Sequence, residues 1–335
     1  MDGVIHMIDV KKELARMSEE MDPDIRSYIK DELPENLIEA CRQYPYAGGK
    51  RMRPAMVLSA CGAVGGNKEK ALPMAVAIEY IHNFTLIHDD LMDGDEKRRG
   101  MTTSHVKYGM PTAILAGDAL FAKAFEIMAN MDIPAETMRK AMQIVTVAVW
   151  DLARGQQMDV NNENEGQVSM EDYIETIRLK TSVLFAAGAA SGALIGGAND
   201  DVVKAVHEYA MSLGVAFQMY DDILGIFGDP SKTGKSAGND IRKGKSTVMV
   251  CHALKTIKDT KELETFKSIL GKLDATDDEI EIARGILKKN GSLDYAVELA
   301  TKYTKDAIAK LDVLKDSKDK EFMVALAEFA MSRDV

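Results

Sequence analysis

Aromatic side chains make up only 6% of this 335-residue sequence, and no convincing alternating run bounded by hairpin turns can be found in it. Sandwiches and barrels need both, so the sequence points to helices. Cysteine is equally scarce. Cys41, Cys61 and Cys251 stand far apart, which makes neither a disulfide framework nor a metal knuckle and suits a reducing compartment. Met1 to Glu19 mixes charges throughout and lacks the apolar run of a signal peptide, so the expected location is the cytoplasm. Pro- or Ser-rich linkers and short repeats are missing too, which leaves one all-α domain over residues 1–335. A surplus of positive charge is also lacking. The formal net charge is −11, and nucleic-acid phosphate needs a basic face, so no nucleic-acid partner is expected.

What the sequence does contain is a series of apolar-periodic segments, with Pro at their starts and Gly, Asn or Pro at their ends. Pro73 opens one to about Asp93, Pro111 one to about Asn130, and Pro134 one to about Val160. Asp200 and Asp201 can cap another running to Gly228, and Thr276-Asp277-Asp278-Glu279 has the form of a capping box. Thr181 to Ala198 carries no charge over 18 residues, which is close to bilayer-spanning length. Ten of those residues are Ala or Gly, however, so insertion gains little and a tightly packed interior helix is expected, with no transmembrane segment.

The chemistry is carried by two aspartate clusters, each ending an apolar helix: Asp89-Asp90-Leu91-Met92-Asp93, and Asp221-Asp222 within Phe217 to Gly225. Residues i and i+4 share a helix face, so Asp89 and Asp93 project together and repel unless a cation lies between them. Such hard oxygen ligands suit Mg²⁺, which commonly bridges a few carboxylates to phosphate oxygens. Cations gather nearby in sequence, at Lys50-Arg51-Arg53, at Lys97-Arg98-Arg99 and between Lys232 and Lys245. Guanidinium groups match phosphate oxygens bidentately, so carboxylate, metal, diphosphate and cation can alternate in one cavity. The run from Gly228 to Ser236 is not a nucleotide-binding phosphate loop. It has five residues where that loop has four, and no strand precedes it.

In order and approximate spacing, Gly48-Gly49-Lys50-Arg51-Met52-Arg53-Pro54, His82, Asp89 to Asp93 with Arg98-Arg99-Gly100, Lys180-Thr181, Phe217-Gln218 with Asp221-Asp222, and Lys235 with Asp240 to Lys245 resemble the trans-prenyltransferase (polyprenyl diphosphate synthase) family. The resemblance covers residues 45 to 250, with outer helices from 251 to 335. It implies a single-domain bundle of about ten to thirteen helices around a deep central cavity, the class I isoprenoid synthase fold, assembled as a homodimer. It also implies condensation of isopentenyl diphosphate with an allylic diphosphate, dimethylallyl, geranyl or farnesyl. By the same resemblance Asp89, Asp93 and Asp221 ligate Mg²⁺, three ions per site with Mn²⁺ as a substitute, supported by Asp90, Asp222 and Asp240. Arg98, Lys180 and Lys235 then hold the allylic diphosphate, and Lys50, Arg53, His82 and Arg99 hold isopentenyl diphosphate. Thr181, Gln218 and Lys245 complete the region where charge develops.

One departure is plain: the family's second motif usually reads Asp-Asp-x-x-Asp, and the last position here is Gly225. Product length is expected from the wall one turn before Asp89. Phe84 stands there beside the small Thr85, and a single aromatic at that position resembles the archaeal-type geranylgeranyl synthases, with farnesyl or longer products as the alternative. Three rivals remain. A terpene cyclase needs no second diphosphate site, which Lys50, Arg53 and Arg99 supply. A non-catalytic partner subunit is expected to have lost aspartates that are present here. A di-iron bundle needs a second Glu-x-x-His motif beside Glu79 to His82, and none is found.

Overall fold

A computed structural model describes residues 8–165, 168–228 and 238–331. As expected, the fold is all-α, and twelve helices of ten residues or more occur among the described residues. The chain divides into two compact units, residues 1–146 with 187–207 and 313–325, and residues 147–186 with 208–312 and 326–335.

The first unit contains α1 (Val10–Ser27), α2 (Glu35–Tyr46), α3 (Met52–Ala63), α4 (Lys68–Met92), the short α5 (Ser104–Tyr108) and α6 (Met110–Ala129). α4 is its spine and packs on α3 and α6. Met74, Ile78, Tyr80, Ile81 and Ile87 are fully buried along it, and such side chains contribute about 1.5–3 kcal/mol each on leaving water. The helix begins five residues before Pro73, because the Asn67 side chain accepts the Glu69 amide at 2.9 Å and caps it. Pro73 falls early in the helix, where a missing amide disrupts little.

α7 (Ala135–Glu165), α9 (Val183–Ile195) and α10 (Asp200–Phe227) contribute residues to both units. α7 runs five residues past the expected Val160. The cap of α10 is Asn199 rather than the aspartates, since its side chain accepts the Val202 amide at 2.9 Å. α9 is the interior helix foreseen in Thr181 to Ala198: Ala186, Ala187, Ala189, Ala190 and Ala193 are buried along it. A Cβ at Gly192 would strike the Val57 carbonyl of α3, so the two backbones meet closely there. No described helix is long and apolar enough to cross a membrane.

The second unit contains α8 (Met170–Ile177) and a π-turn at Arg178–Ser182. The later helices Val248–Thr256, Thr260–Ile269, Asp277–Lys289 and Ser292–Lys310 follow in the same unit. Its core gathers Tyr173, Ile177, Met219, Ile223, Val248, Phe266 and Leu287. The capping box at Thr276 and Glu279 is formed in both directions.

Candidate active site

In the first unit the Gly48-Gly49 turn leads into α3 through Arg51, whose backbone is left-handed at φ 47°. Arg51 is buried, ion-paired to Glu79 and donating to the Pro45 carbonyl. Asn83 also donates to Glu79 Oε1 at 3.1 Å. Glu79 is therefore spent on Arg51, which removes the Glu-x-x-His reading as an iron site.

Arg53 lies elsewhere, its Nη1 3.2 Å from His82 Nε2. A guanidinium only donates, so Nε2 accepts and the imidazole proton sits on Nδ1. Burial first, and then the charges of Arg53, Arg99, Arg98 and Arg51, hold the imidazole well below its usual 6.5. Arg99 arrives on a hairpin that sequence reading did not find: Lys97–Arg98 pairs antiparallel with Met101–Thr102. Arg99 and Gly100 form its turn with φ of 51° and 78°, the left-handed pair that matches strand twist. From there Arg99 Nη1 donates to the Gly48 carbonyl at 2.7 Å. Burial, followed by the like charges of Arg51 and Arg98, lowers its pKa, with Glu79 offsetting part of the effect. Loop and hairpin thus bring Arg53, His82 and Arg99 together, with Lys50 exposed in the same loop. Cations so crowded, with Glu79 already taken, favour an anionic ligand.

At the end of α4 the two adjacent aspartates differ. Asp90 is fully buried, and its Oδ1 accepts Arg98 Nε at 2.6 Å while Oδ2 accepts the Tyr44 hydroxyl. Asp89 is partly exposed, with Oδ2 3.7 Å from Arg98 Nη2, and Asp93 is exposed one turn on. Tyr44 was not foreseen from sequence. Burial and Asp90 raise its phenol pKa, so it remains a donor. A turn before Asp89, Phe84 stands edge-on to Phe121 of α6, centroids 5.2 Å apart, and Phe121 meets Phe125 at 4.9 Å. Thr85 donates its hydroxyl to the His82 carbonyl at 2.8 Å.

The second unit holds a polar cavity of about 90 Å³, lined among others by Asp159, Lys180, Thr181, Gln218, Asp222 and Lys245. Lys180 and Thr181 are carried on the π-turn, a distortion often found at functional sites. Lys180 Nζ lies 2.6 Å from Asp159 Oδ2. The Thr181 hydroxyl donates to Gln218 Oε1 at 3.1 Å, and Gln218 Nε2 donates to Asp222 Oδ1 at 3.0 Å. Tyr173 donates to the other Asp222 oxygen at 2.7 Å. Burial, and then the charge of Asp240, push Asp222 up to about 7, against the pull of Tyr173, Gln218 and Lys245. Burial works against the Lys245 ammonium, yet Asp240, Asp222 and Asp159 outweigh it and raise its pKa. Asp221 is partly exposed beside Asp222, and Lys235 lies outside the described residues.

Asp159 was missed in the sequence. Its signal was Gly155, a glycine inside a strong helical pattern: a Cβ there would strike the Lys180 amide, and this close approach sets Asp159, one turn later, against Lys180. Gly225 has a similar explanation. A Cβ at that position would strike Asp240 Oδ2, so the Asp240 carboxylate occupies the space that a side chain at 225 would take. Among the described residues, no three His, Cys, Asp or Glu side chains form a ready-made metal cage.

The chain as a whole is similar to known proteins. The polyprenyl synthetase family model matches residues 34–287. A geranylgeranyl diphosphate synthase of Methanosarcina mazei is 42% identical over 96% of this chain and 97% of its own. The crystal structure of a geranylgeranyl pyrophosphate synthetase from Pyrococcus horikoshii superposes with a TM-score of 0.92 at 42% identity, covering 96% of this chain and 99% of that one. A geranylgeranyl pyrophosphate synthase from Corynebacterium glutamicum, complexed with isoprenyl diphosphate and magnesium, reaches 0.82 at 26% identity over 97% and 98% of the two chains. With a family model spanning both aspartate clusters and a relative this similar along nearly its whole length, the chain belongs to the polyprenyl synthetase family and is a prenyltransferase.

Proposed function

We propose that this chain condenses isopentenyl diphosphate with allylic diphosphates up to the C20 product, geranylgeranyl diphosphate, releasing diphosphate at each step. The observation that carries the reading is the cluster of Arg53, Arg99 and neutral His82 beside Asp89, Asp93 and Arg98, since one group calls for an anion and the other for a cation. Lys50, Arg53, His82 and Arg99 bind the isopentenyl diphosphate. Arg98, Lys180 and Lys235 hold the allylic diphosphate, and Asp159 orients Lys180 through their ion pair.

Asp89 and Asp221, both partly exposed, and the exposed Asp93 offer hard carboxylate oxygens that would hold Mg²⁺, or Mn²⁺ in its place. We take three ions per site, with Asp90, Asp222 and Asp240 in support. When bound, the metal neutralises charge on the departing diphosphate and lowers the barrier to ionisation. The allylic C–O bond breaks with its electron pair leaving on the diphosphate, and Arg98 and Lys180 stabilise that charge. The alkene of isopentenyl diphosphate then supplies the pair for the new C–C bond. A proton is lost to the released diphosphate, while Thr181, Gln218 and Lys245 face the region where charge develops. Phe84 limits the tail, with Thr85 beside it. The chain acts as a homodimer, for which the exposed Met110, Ile114 and Leu115 on α6 supply an apolar face. A cytoplasmic setting agrees with three buried, unpaired thiols.

The test is incubation with Mg²⁺, isopentenyl diphosphate and starters of several lengths, followed by chromatography of the dephosphorylated products. C20 alcohol is expected, with loss of activity in chelator and a fall of roughly a hundredfold or more in Asp89→Ala. Cyclic hydrocarbon without elongation, or near-normal turnover of Asp89→Ala, would refute the reading.

A further inference from the structure

Asp90 has no solvent to complete its hydrogen bonding, so its two oxygens depend on protein donors. Arg98 supplies one of them only. Its Nε, 2.6 Å away, and its Nη2, 2.5 Å away, both address Oδ1. The other oxygen is satisfied from α2, by the hydroxyl of the equally buried Tyr44. A carboxyl group turns about a soft, two-fold terminal torsion, and two donors on opposite oxygens are what fix it. Arg98 Nη2 also lies 3.7 Å from Asp89 Oδ2. If Asp90 turned, Arg98 would be drawn towards Asp89 and away from its present direction.

We propose that Tyr44 is a positioning residue for the first aspartate motif: through Asp90 it holds Arg98 in the orientation that meets the allylic diphosphate. The inference rests on the reading of Arg98 given above and adds a residue from a different helix to the machinery. Tyr44 touches no substrate. Its effect is expected in binding of the allylic partner and not of isopentenyl diphosphate, whose cationic cluster is built from Arg53, His82 and Arg99.

Tyr44→Phe removes only the hydroxyl. The allylic KM is expected to rise roughly tenfold, the loss typical of one hydrogen bond to a charged group, with the isopentenyl diphosphate KM within twofold of the parent. Tyr80→Phe is the control, because Tyr80 is a fully buried phenol whose hydroxyl donates to the Ile25 carbonyl at 2.5 Å. It is expected to lose stability and leave both KM values unchanged. In an Asp90→Asn background, Tyr44→Phe is expected to have no further effect on the allylic KM. Calorimetric titration with inorganic pyrophosphate and Mg²⁺ is expected to show weaker binding to Tyr44→Phe, which gives a readout independent of turnover. A folded Tyr44→Phe with an unchanged allylic KM overturns the inference, as do an equal rise in both KM values and an equal effect of Tyr80→Phe. A parent chain that elongates no allylic diphosphate overturns the underlying reading as well, so the two failures are distinct.

Discussion

Lowering the pH from 7 to 5 should destabilise the parent chain through His82, and replacing that residue should remove this part of the loss. The imidazole is held well below 6.5 by burial and then by Arg53, Arg99, Arg98 and Arg51. In the unfolded chain it takes up a proton near its ordinary value of about 6.5. Below that pH the unfolded state binds more protons than the folded one, so stability falls as pH drops and is flat above. A folded imidazole that stayed neutral throughout would set the upper bound of this linkage, about 1.9 kcal/mol lost between pH 7 and 5. His82→Gln keeps an acceptor for Arg53 but cannot titrate. Urea denaturation of both proteins at pH 5, 6 and 7 measures the difference, and titrations elsewhere cancel between them. The variant is expected to lose less than the parent over that range, by at most ~2 kcal/mol. Parallel losses in the two proteins would show that His82 gains its proton in the folded state, and the electrostatic account of the cluster would fail.

Phe84→Ala takes a ring from the wall it forms with Phe121, and longer products, C25 and beyond, are expected on chromatography; an unchanged distribution from an active variant would place the stop elsewhere. Glu79→Gln leaves the buried Arg51 charge without its counterion, and a loss of about 3–5 kcal/mol in denaturant unfolding is expected. A loss under ~1 kcal/mol would mean that Arg51 finds another partner or water. Light scattering of the active enzyme at micromolar concentration should give twice the chain mass, and a persistent monomer would refute the dimer.

Helix segmentation was legible because Pro and Gly punctuate it, and the misplaced boundaries have local causes. At Asn67 and Asn199 a side-chain cap outweighed the more conspicuous Pro73 and Asp200-Asp201. The Lys97 to Thr102 hairpin was not legible, because two residues per strand give no alternation to read. Within Lys50-Arg51-Arg53, three cations of similar character in sequence take different paths. Arg51 is consumed by Glu79, Arg53 reaches His82, and Lys50 stays exposed. Nothing in their spacing announced this, since the division depends on a left-handed residue at 51 and on an acid 28 positions away.

The same principle bears on the aspartates. Read as letters, the second cluster is one carboxylate short at Gly225, while Asp90 and Asp222 look equivalent to their neighbours. In three dimensions Asp240 fills the space beside Gly225, one turn after Asp221, and so returns a carboxylate to that part of the helix from a distant segment. Asp90 and Asp222 have each committed both oxygens to protein donors: Arg98 and Tyr44 in one case, Gln218 and Tyr173 in the other. Asp89, Asp93 and Asp221 keep more exposure than the buried Asp90. In each pair the second aspartate therefore orients its surroundings, and the first, partly exposed in both, is the one proposed to meet an ion. In the first pair this division follows from burial, because a carboxylate removed from water must be satisfied by its own protein before it can serve a ligand. In the second, where Asp221 and Asp222 are both partly exposed, it rests on the hydrogen bonds that Tyr173 and Gln218 give Asp222.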